Sequence, residues 1–259
     1  MIKYLKYVFI VLIISNASIL EARKINLKSS KSSDKSTSTY GGINFESELE
    51  ALKNNSQINQ DNNNKYFGWK TNTNVRPMGS DKAIKGGMFT MLGGDEYPNT
   101  FRTIGKDSRH QINGLMDALQ NETLLGFNYE HLEWEPVIAT HWKIADDSLN
   151  YWFRIDPRAR WADGREIISE DVVAAFKLYV DDGHQDPNVA TYYNELFEIP
   201  VAESKYVVRV TAKKKDWRTF RSAAQFTPMP SFYLSKIDGA GYIDKYNFSF
   251  MPGSGPYEY

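Results

Sequence analysis

The chain has 259 residues, a formal net charge of −1 and no cysteine. A near-neutral chain carries no overall basic field, which argues against a nucleic-acid-binding protein. Without disulfides the fold must be stabilised by its hydrophobic core, and a chain of this length can form a good-sized one. Aromatic residues make up 14% of the chain. We expect most of them in the core and a minority in an apolar cleft.

The first 22 residues have the order of a secretory signal peptide. Two lysines precede an apolar run over residues 7–14, and small residues follow it. Cleavage is predicted after Ala17 or Ala22. The run is too short for a comfortable membrane span, although an uncleaved N-terminal anchor is kept as an alternative. Since a bacterial lipoprotein needs a cysteine after its signal peptide, no lipid anchor is predicted.

Residues 23–83 are predicted to form a linker and an extended lead-in. Serine, lysine and threonine dominate residues 28–39 without an apolar period, which is typical of disorder. Apolar residues at helical spacing predict a short helix over residues 45–52. The first convincing strand covers residues 85–92, and a turn rich in glycine follows it over residues 93–99.

The most strongly patterned stretch begins at residue 149. Alternate residues are apolar over residues 149–155, which predicts a half-buried strand. Asp163 and Gly164 form a strong turn signal, and Ser169 is predicted to cap the helix that follows. We expect this strand and helix to pack together through their apolar faces, with Trp161 substantially buried.

Shorter patterns predict the remaining elements. Apolar residues at helical spacing indicate a helix that ends near Asn121. Residues 206–210 alternate as a strand, and residues 220–224 suit a short helix. The lysines at 213–215 are interpreted as a solvated turn.

Catalytic and metal-binding patterns are weak in this sequence. Four histidines lack any paired helical spacing, so we predict surface or capping roles and no metal site. They are His110, His131, His141 and His184. Since no nucleophile elbow and no glycine-rich phosphate loop occurs, no catalytic residue and no cofactor is predicted. Asp147 and Glu166 could be paired as a glycosidase acid and base, but their spacing does not favour them over other carboxylates.

Several motifs in one order resemble a known family. Trp-Ala-Asp-Gly at residues 161–164 precedes Ser-Glu-Asp-Val-Val-Ala-Ala-Phe at residues 169–176. Before them lies Pro-Val-Ile-Ala at residues 136–139, followed by Trp142, and after them Gly-Ser-Gly-Pro-Tyr at residues 253–257. Together they resemble the family 5 extracellular solute-binding proteins, the periplasmic oligopeptide- and dipeptide-binding components of ABC importers. The resemblance covers roughly residues 85–259.

The resemblance implies an α/β protein with the type II periplasmic-binding-protein fold, present only in part. The start of lobe I and an accessory subdomain would be present and the second lobe missing, as in an N-terminal fragment. The implied divisions are a signal peptide, a linker and lead-in, the first strand of lobe I, the accessory subdomain and the return to lobe I. They cover residues 1–22, 23–83, 84–104, 105–250 and 251–259, respectively.

The resemblance also implies a function. The protein would be periplasmic, exported by its cleavable signal peptide, and would act as a monomer that delivers peptides to an inner-membrane ABC permease. A secreted hydrolase, such as a glycosidase whose catalytic motif lies outside this sequence, is the alternative. A single lobe offers only one wall of the family's cleft, so it should bind peptide more weakly than a complete chain.

The available half of the ligand site is predicted in the turn after the first strand. Two glycines would let a ligand backbone approach closely, and an acid and a phenol would supply polar contacts. The predicted ligand-binding residues are Gly93, Gly94, Asp95, Glu96, Tyr97, Pro98 and Asn99. An ordinary strand-to-helix turn would favour the same residue types, and this interpretation has equal weight.

Overall fold

The structure is a computed structural model, and it describes residues 11–14, 68–72, 82, 88–90 and 96–258. The strands are β1 (Val11–Ile14), β2 (Trp69–Lys70), β3 (Met88–Thr90), β4 (Leu125–Asn128), β5 (Glu133–Pro136), β6 (Ala139–Ile144), β7 (Asn150–Ile155), β8 (Val201–Ser204), β9 (Val207–Thr211) and β10 (Tyr257–Glu258). The helices are α1 (Gln111–Gln120), α2 (Ser169–Tyr179), α3 (Pro187–Leu196), α4 (Thr219–Ala224), α5 (Ser231–Leu234) and α6 (Gly239–Lys245), with a 3-10 turn at Asp182–His184. The predicted α/β class is confirmed.

A five-stranded sheet in the order β2-β6-β7-β9-β8 forms the centre of the fold. All of its pairings are antiparallel. Tyr151, Phe153 and Ile155 on β7 are buried, as the alternating pattern predicted. Phe153 lies opposite Trp142 on β6 and opposite Val208 on β9. This face of the sheet therefore forms the floor of the core.

Helix α2 covers that floor with its apolar stripe. Val172 and Phe176 are buried in the same hydrophobic cluster as Phe153 and Trp161. The helix lies against β8, β9 and α5. The predicted packing of the helix on the sheet and the burial of Trp161 are thus both confirmed.

The start of α2 differs from the prediction. Ile168, not Ser169, is the N-cap residue, and its backbone N–H donates to Asp171 Oδ2 at 2.9 Å. Ser169 is instead the first helical residue, and its hydroxyl donates to the carbonyl of Ser204. The carboxylate at the third helical position thus satisfies the backbone N–H of the cap residue, as the acid of a capping box does.

Two smaller sheets complete the described fold. Strands β4 and β5 form a hairpin. The other sheet has the order β10-β1-β3, with β1 antiparallel to both neighbours. Part of the apolar run of the predicted signal peptide is thus a strand here, while its cleavage stays a prediction.

Other predicted elements are found with shifted bounds or cannot be compared. The predicted strand at residues 85–92 is described only as β3, and the helix predicted at residues 45–52 lies outside the described residues. In the described part of the chain, no helix is both long and apolar enough to span a membrane.

Candidate ligand-binding site

The residues that best match the family motif have structural roles. Trp161 is 3% exposed, and its Nε1 donates to Asp171 Oδ2 at 3.0 Å. Gly164 adopts a φ of +87°, a conformation that favours glycine, so the predicted turn is confirmed. Buried in this way, Trp161 and Asp171 organise the core rather than face a ligand.

The structure describes only the second half of the predicted ligand segment. Gly93, Gly94 and Asp95 lie outside the described residues. Glu96, Tyr97 and Asn99 are exposed, whereas Pro98 is buried. The exposed residues are therefore the described part of this turn that a ligand can reach.

Tyr97 belongs to a group of aromatic rings that we call the junction cluster. It consists of Tyr97, Phe101, Phe248 and Phe250. The Tyr97 ring lies 5.9 Å from Phe101 and 6.2 Å from Phe248 between centroids, and Phe101 stacks on Phe250 at 5.3 Å. Tyr97, Phe248 and Phe250 are 55%, 52% and 39% exposed. Exposed rings of this kind occur on interaction and ligand-binding surfaces.

Close to this cluster, hydrogen bonds join the segments that lead into and out of the predicted accessory subdomain. The backbone N–H of Phe101 and the hydroxyl of Thr100 both donate to the carbonyl of Asn247, at 2.8 and 2.7 Å. The amide of Gln120 donates to the carbonyl of Met251 at 3.0 Å. Both segments that carry the rings are thereby fixed to the folded body.

The glycines of the motif at residues 253–257 allow its backbone to lie close to the end of α1. The backbone N–H of Gly255 donates to the carbonyl of Gln120 at 2.7 Å, at the end of α1. A Cβ atom on Gly253 would lie 2.4 Å from the same carbonyl oxygen, which is closer than real Cβ contacts allow. The motif therefore serves close backbone packing.

A pocket opens beside the junction cluster and shares two of its rings, Phe101 and Phe250. Its polar lining includes Arg102, Asp117 and Tyr246. Burial raises the pKa of Asp117, an effect that the hydrogen bond from the Asn121 amide partly offsets. Burial likewise lowers the pKa of the Arg102 guanidinium. Both shifts indicate that this end of the pocket is poorly hydrated.

Two buried polar atoms among the pocket-lining residues lack a hydrogen-bond partner within the described part of the chain. They are Arg102 Nε and the Tyr246 hydroxyl. The other guanidinium nitrogens of Arg102 donate to the carbonyls of Lys106 and Ile104. The pocket thus combines apolar walls with a few polar groups, but its cavity of about 40 Å³ has room only for a small group of a ligand.

The predicted ligand segment included Tyr97 but none of the rings that lie beside it. Phe248 and Phe250 lie about 150 residues further along the chain, and nothing local connects them with Tyr97. A local pattern that could have indicated these rings is the Phe-Ser-Phe sequence at residues 248–250, close to the predicted return to lobe I.

The histidines correct part of the prediction. His110 accepts from the backbone N–H of Ile112 at the start of α1, a capping role as predicted. His141 and His184, however, are buried, at 5% and 0% exposure, rather than on the surface. The buried ring of His184 has a hydrogen-bond partner, because its Nδ1 accepts from the backbone N–H of Asp186 at 3.0 Å. Among the described residues no three metal-ligating side chains gather.

The carboxylates considered for a hydrolase have separate partners. Glu166 forms ion pairs with Lys205 at 2.5 Å and with Arg160 at 3.4 Å. Asp147 accepts from the backbone N–H of Leu149 at 2.8 Å. Each carboxylate is thus explained by its local structure.

Comparisons with known proteins agree with the motifs. Residues 133–259 match the bacterial extracellular solute-binding proteins, family 5 Middle. The probable peptide-binding protein YejA of Agrobacterium fabrum is 25% identical over 181 residues, which are 68% of this chain and 28% of that protein. The chain thus spans less than a third of the length of this curated relative.

Solved structures are also similar. Haemophilus influenzae OppA, in complex with the peptide RPPGFSPFR, is 18% identical with a TM-score of 0.48, over 58% of this chain and 32% of that one. Listeria monocytogenes OppA bound to peptide is 18% identical with a TM-score of 0.49, over 62% of this chain and 33% of that one. The matched family and the curated relative are binding proteins, so the hydrolase alternative finds no support. Over residues 133–259 the chain is therefore similar to the bacterial extracellular solute-binding proteins of family 5.

Proposed function

We propose that this protein captures peptides outside the cytoplasm and delivers them to an ABC importer in the inner membrane. The observation that carries the proposal is the family match over residues 133–259. The printed name of the Agrobacterium relative, a probable peptide-binding protein, supports peptides as the solute class. In this proposal the protein is a periplasmic monomer, exported by a cleaved signal peptide, and oligopeptides are its ligands.

The proposed ligand surface is the turn at residues 93–99 together with the junction cluster. Recognition of peptides of many sequences requires main-chain hydrogen bonds and tolerant pockets for side chains. An exposed turn supplies backbone groups, and the rings of Tyr97, Phe248 and Phe250 supply apolar contact that does not depend on one side chain. The adjoining pocket lined by Arg102 and Asp117 would receive a polar end of the ligand.

Calorimetric titration of the full chain tests the solute class. The titrants are a mixed pool of short peptides, a mixed pool of sugars and a nickel salt. Saturable heat is expected with the peptide pool alone. Saturable heat only with the sugars or with nickel would mean that this solute, not peptide, is the ligand. Catalytic turnover of any titrant would contradict a pure binding protein.

A further inference from the structure

One exposed surface plays no part in the proposed ligand site. It combines the loop after β9 with the exposed side of α4, and we call it the basic aromatic face. Its members are Lys213, Lys214, Lys215, Trp217, Arg218 and Arg221, with Tyr129 from the β4–β5 hairpin. From residue 213 to residue 221 the chain has five cations and a single carboxylate, Asp216.

Trp217 is the most exposed of the large apolar side chains in the described part of the chain, at 83%. Exposing an indole to water forfeits the free energy that burying its ring would supply. Every other tryptophan in residues 96–258 is at least half covered: Trp134, Trp142, Trp152 and Trp161 are intermediate or buried. The contrast makes Trp217 a candidate contact residue.

The cations around Trp217 are exposed to solvent. Lys213, Lys214 and Lys215 are all exposed, and Lys213 Nζ donates to the carbonyl of Asn194 at 2.6 Å. Arg218 forms an ion pair with Asp216 at 2.8 Å and is itself 66% exposed. The surface therefore keeps a net positive charge after its internal pairing.

Further along the same face, cations and rings are held together. Arg221 donates to the Tyr129 hydroxyl at 2.7 Å, and its guanidinium lies 5.7 Å from the centre of that ring. Tyr129 is 61% exposed, and Leu132 on the same hairpin is 73% exposed. An exposed indole and an exposed phenol thus each lie beside an exposed arginine.

We propose that the basic aromatic face binds the surface of an anionic phospholipid bilayer. Indole and phenol rings sit favourably at the level of lipid headgroups, where one side is apolar and the other wet. Basic residues are attracted to anionic headgroups, each strengthening binding roughly fivefold near the surface. Trp217 would enter the headgroup layer while the lysines contact phosphates. The inference is independent of the peptide site, which lies on other segments of the chain.

Vesicle co-sedimentation of the full chain tests this inference. The vesicles are phosphatidylcholine alone or phosphatidylcholine mixed with phosphatidylglycerol. We expect binding to the mixed vesicles that weakens with added salt and that free inorganic phosphate at matched ionic strength does not compete away. Trp217→Ala and the double variant Lys214→Glu with Lys215→Glu should each bind at least about tenfold more weakly.

The matched control reverses two exposed lysines on other elements, Lys236→Glu with Lys245→Glu. It makes the same change in net charge and is expected to bind within about twofold of the unaltered chain. The N-terminal apolar segment is common to all variants, so differences between them report the face alone. Equal binding by all variants, equal loss in the control pair, or competition by free phosphate would each overturn the proposal.

Discussion

The indole N–H of Trp161 donates to the carboxylate of Asp171 at 3.0 Å, and both side chains are buried. The same oxygen accepts from the backbone N–H of Ile168, and the other carboxylate oxygen accepts from that of Ser231 at 2.8 Å. One buried carboxylate thus connects the turn, the start of α2 and the start of α5. In this chain the tryptophan and the aspartate of the motif therefore act together to hold these three segments.

Replacing Trp161 by alanine should lower the free energy of unfolding by about 3–5 kcal/mol. The change removes a buried ring and leaves Asp171 without one of its donors. Urea denaturation monitored by circular dichroism measures the effect. Trp217→Ala, at an exposed tryptophan, is the control and should change stability by no more than about 0.5 kcal/mol. Equal midpoints for the two variants would show that Trp161 is not a core residue.

Replacing Gly253 by alanine should also destabilise the protein, because its new Cβ would meet the carbonyl oxygen of Gln120 at 2.4 Å. The backbone would have to move away from α1, at a cost of about 1–3 kcal/mol. Gly114→Ala is the matched control, since Gly114 is within α1 and a Cβ there meets nothing within 4 Å. That variant should gain about 0.5–1 kcal/mol from helix propensity. Losses of the same size in both would contradict the proposed close packing.

Stability should fall as the pH is lowered from about 6.5 to about 4 because of His141. Burial, assisted by the charge of Arg154, lowers the pKa of His141 from 6.5 to about 4. Between these values the unfolded chain binds a proton that the folded chain does not, so acid favours unfolding. Above pH 6.5 His141 is neutral in both states and the free energy of unfolding keeps its full value. Its protonation in the unfolded chain lowers that free energy by ~3 kcal/mol by about pH 4. Unfolding curves across this pH range should be flatter for His141→Gln than for the unaltered chain, and parallel curves would contradict the assignment.

Export should yield a mature protein that begins after Ala17 or Ala22. The prediction rests on the order of charged, apolar and small residues in the first 22 positions. N-terminal sequencing of protein from a periplasmic extract measures the start. Recovery of an intact Met1 on a membrane-bound form would mean that the segment is an anchor instead.

Local patterns predicted the centre of the fold well. The alternation that becomes β7 and the stripe that becomes α2 depend only on neighbouring residues, so they could be found without the structure. Asp171 is an acid in the first turn of α2, a position that the helix dipole favours. Its actual partner Ser231 is sixty residues away, and no local pattern connects the two.

The candidate site was predicted only in part, for the same reason. Tyr97 was included because it follows the first strand, whereas Phe248 joins it only through the tertiary fold. Strand β1 likewise lies between β3 and β10, which are far from it in sequence. Pairings of this kind depend on the whole chain, and hydrophobic periodicity does not encode them.

The most direct test of the account compares peptide binding by Tyr97→Ala and by Phe232→Ala. Both side chains are exposed aromatics, at 55% and 60%, but Phe232 lies on α5 and outside the junction cluster. Calorimetric titration with one peptide pool gives the affinity of each full-length variant. We expect Tyr97→Ala to bind at least about tenfold more weakly than the unaltered chain, and Phe232→Ala to bind within about twofold of it. Unchanged affinity in Tyr97→Ala would contradict a ligand site at the junction cluster.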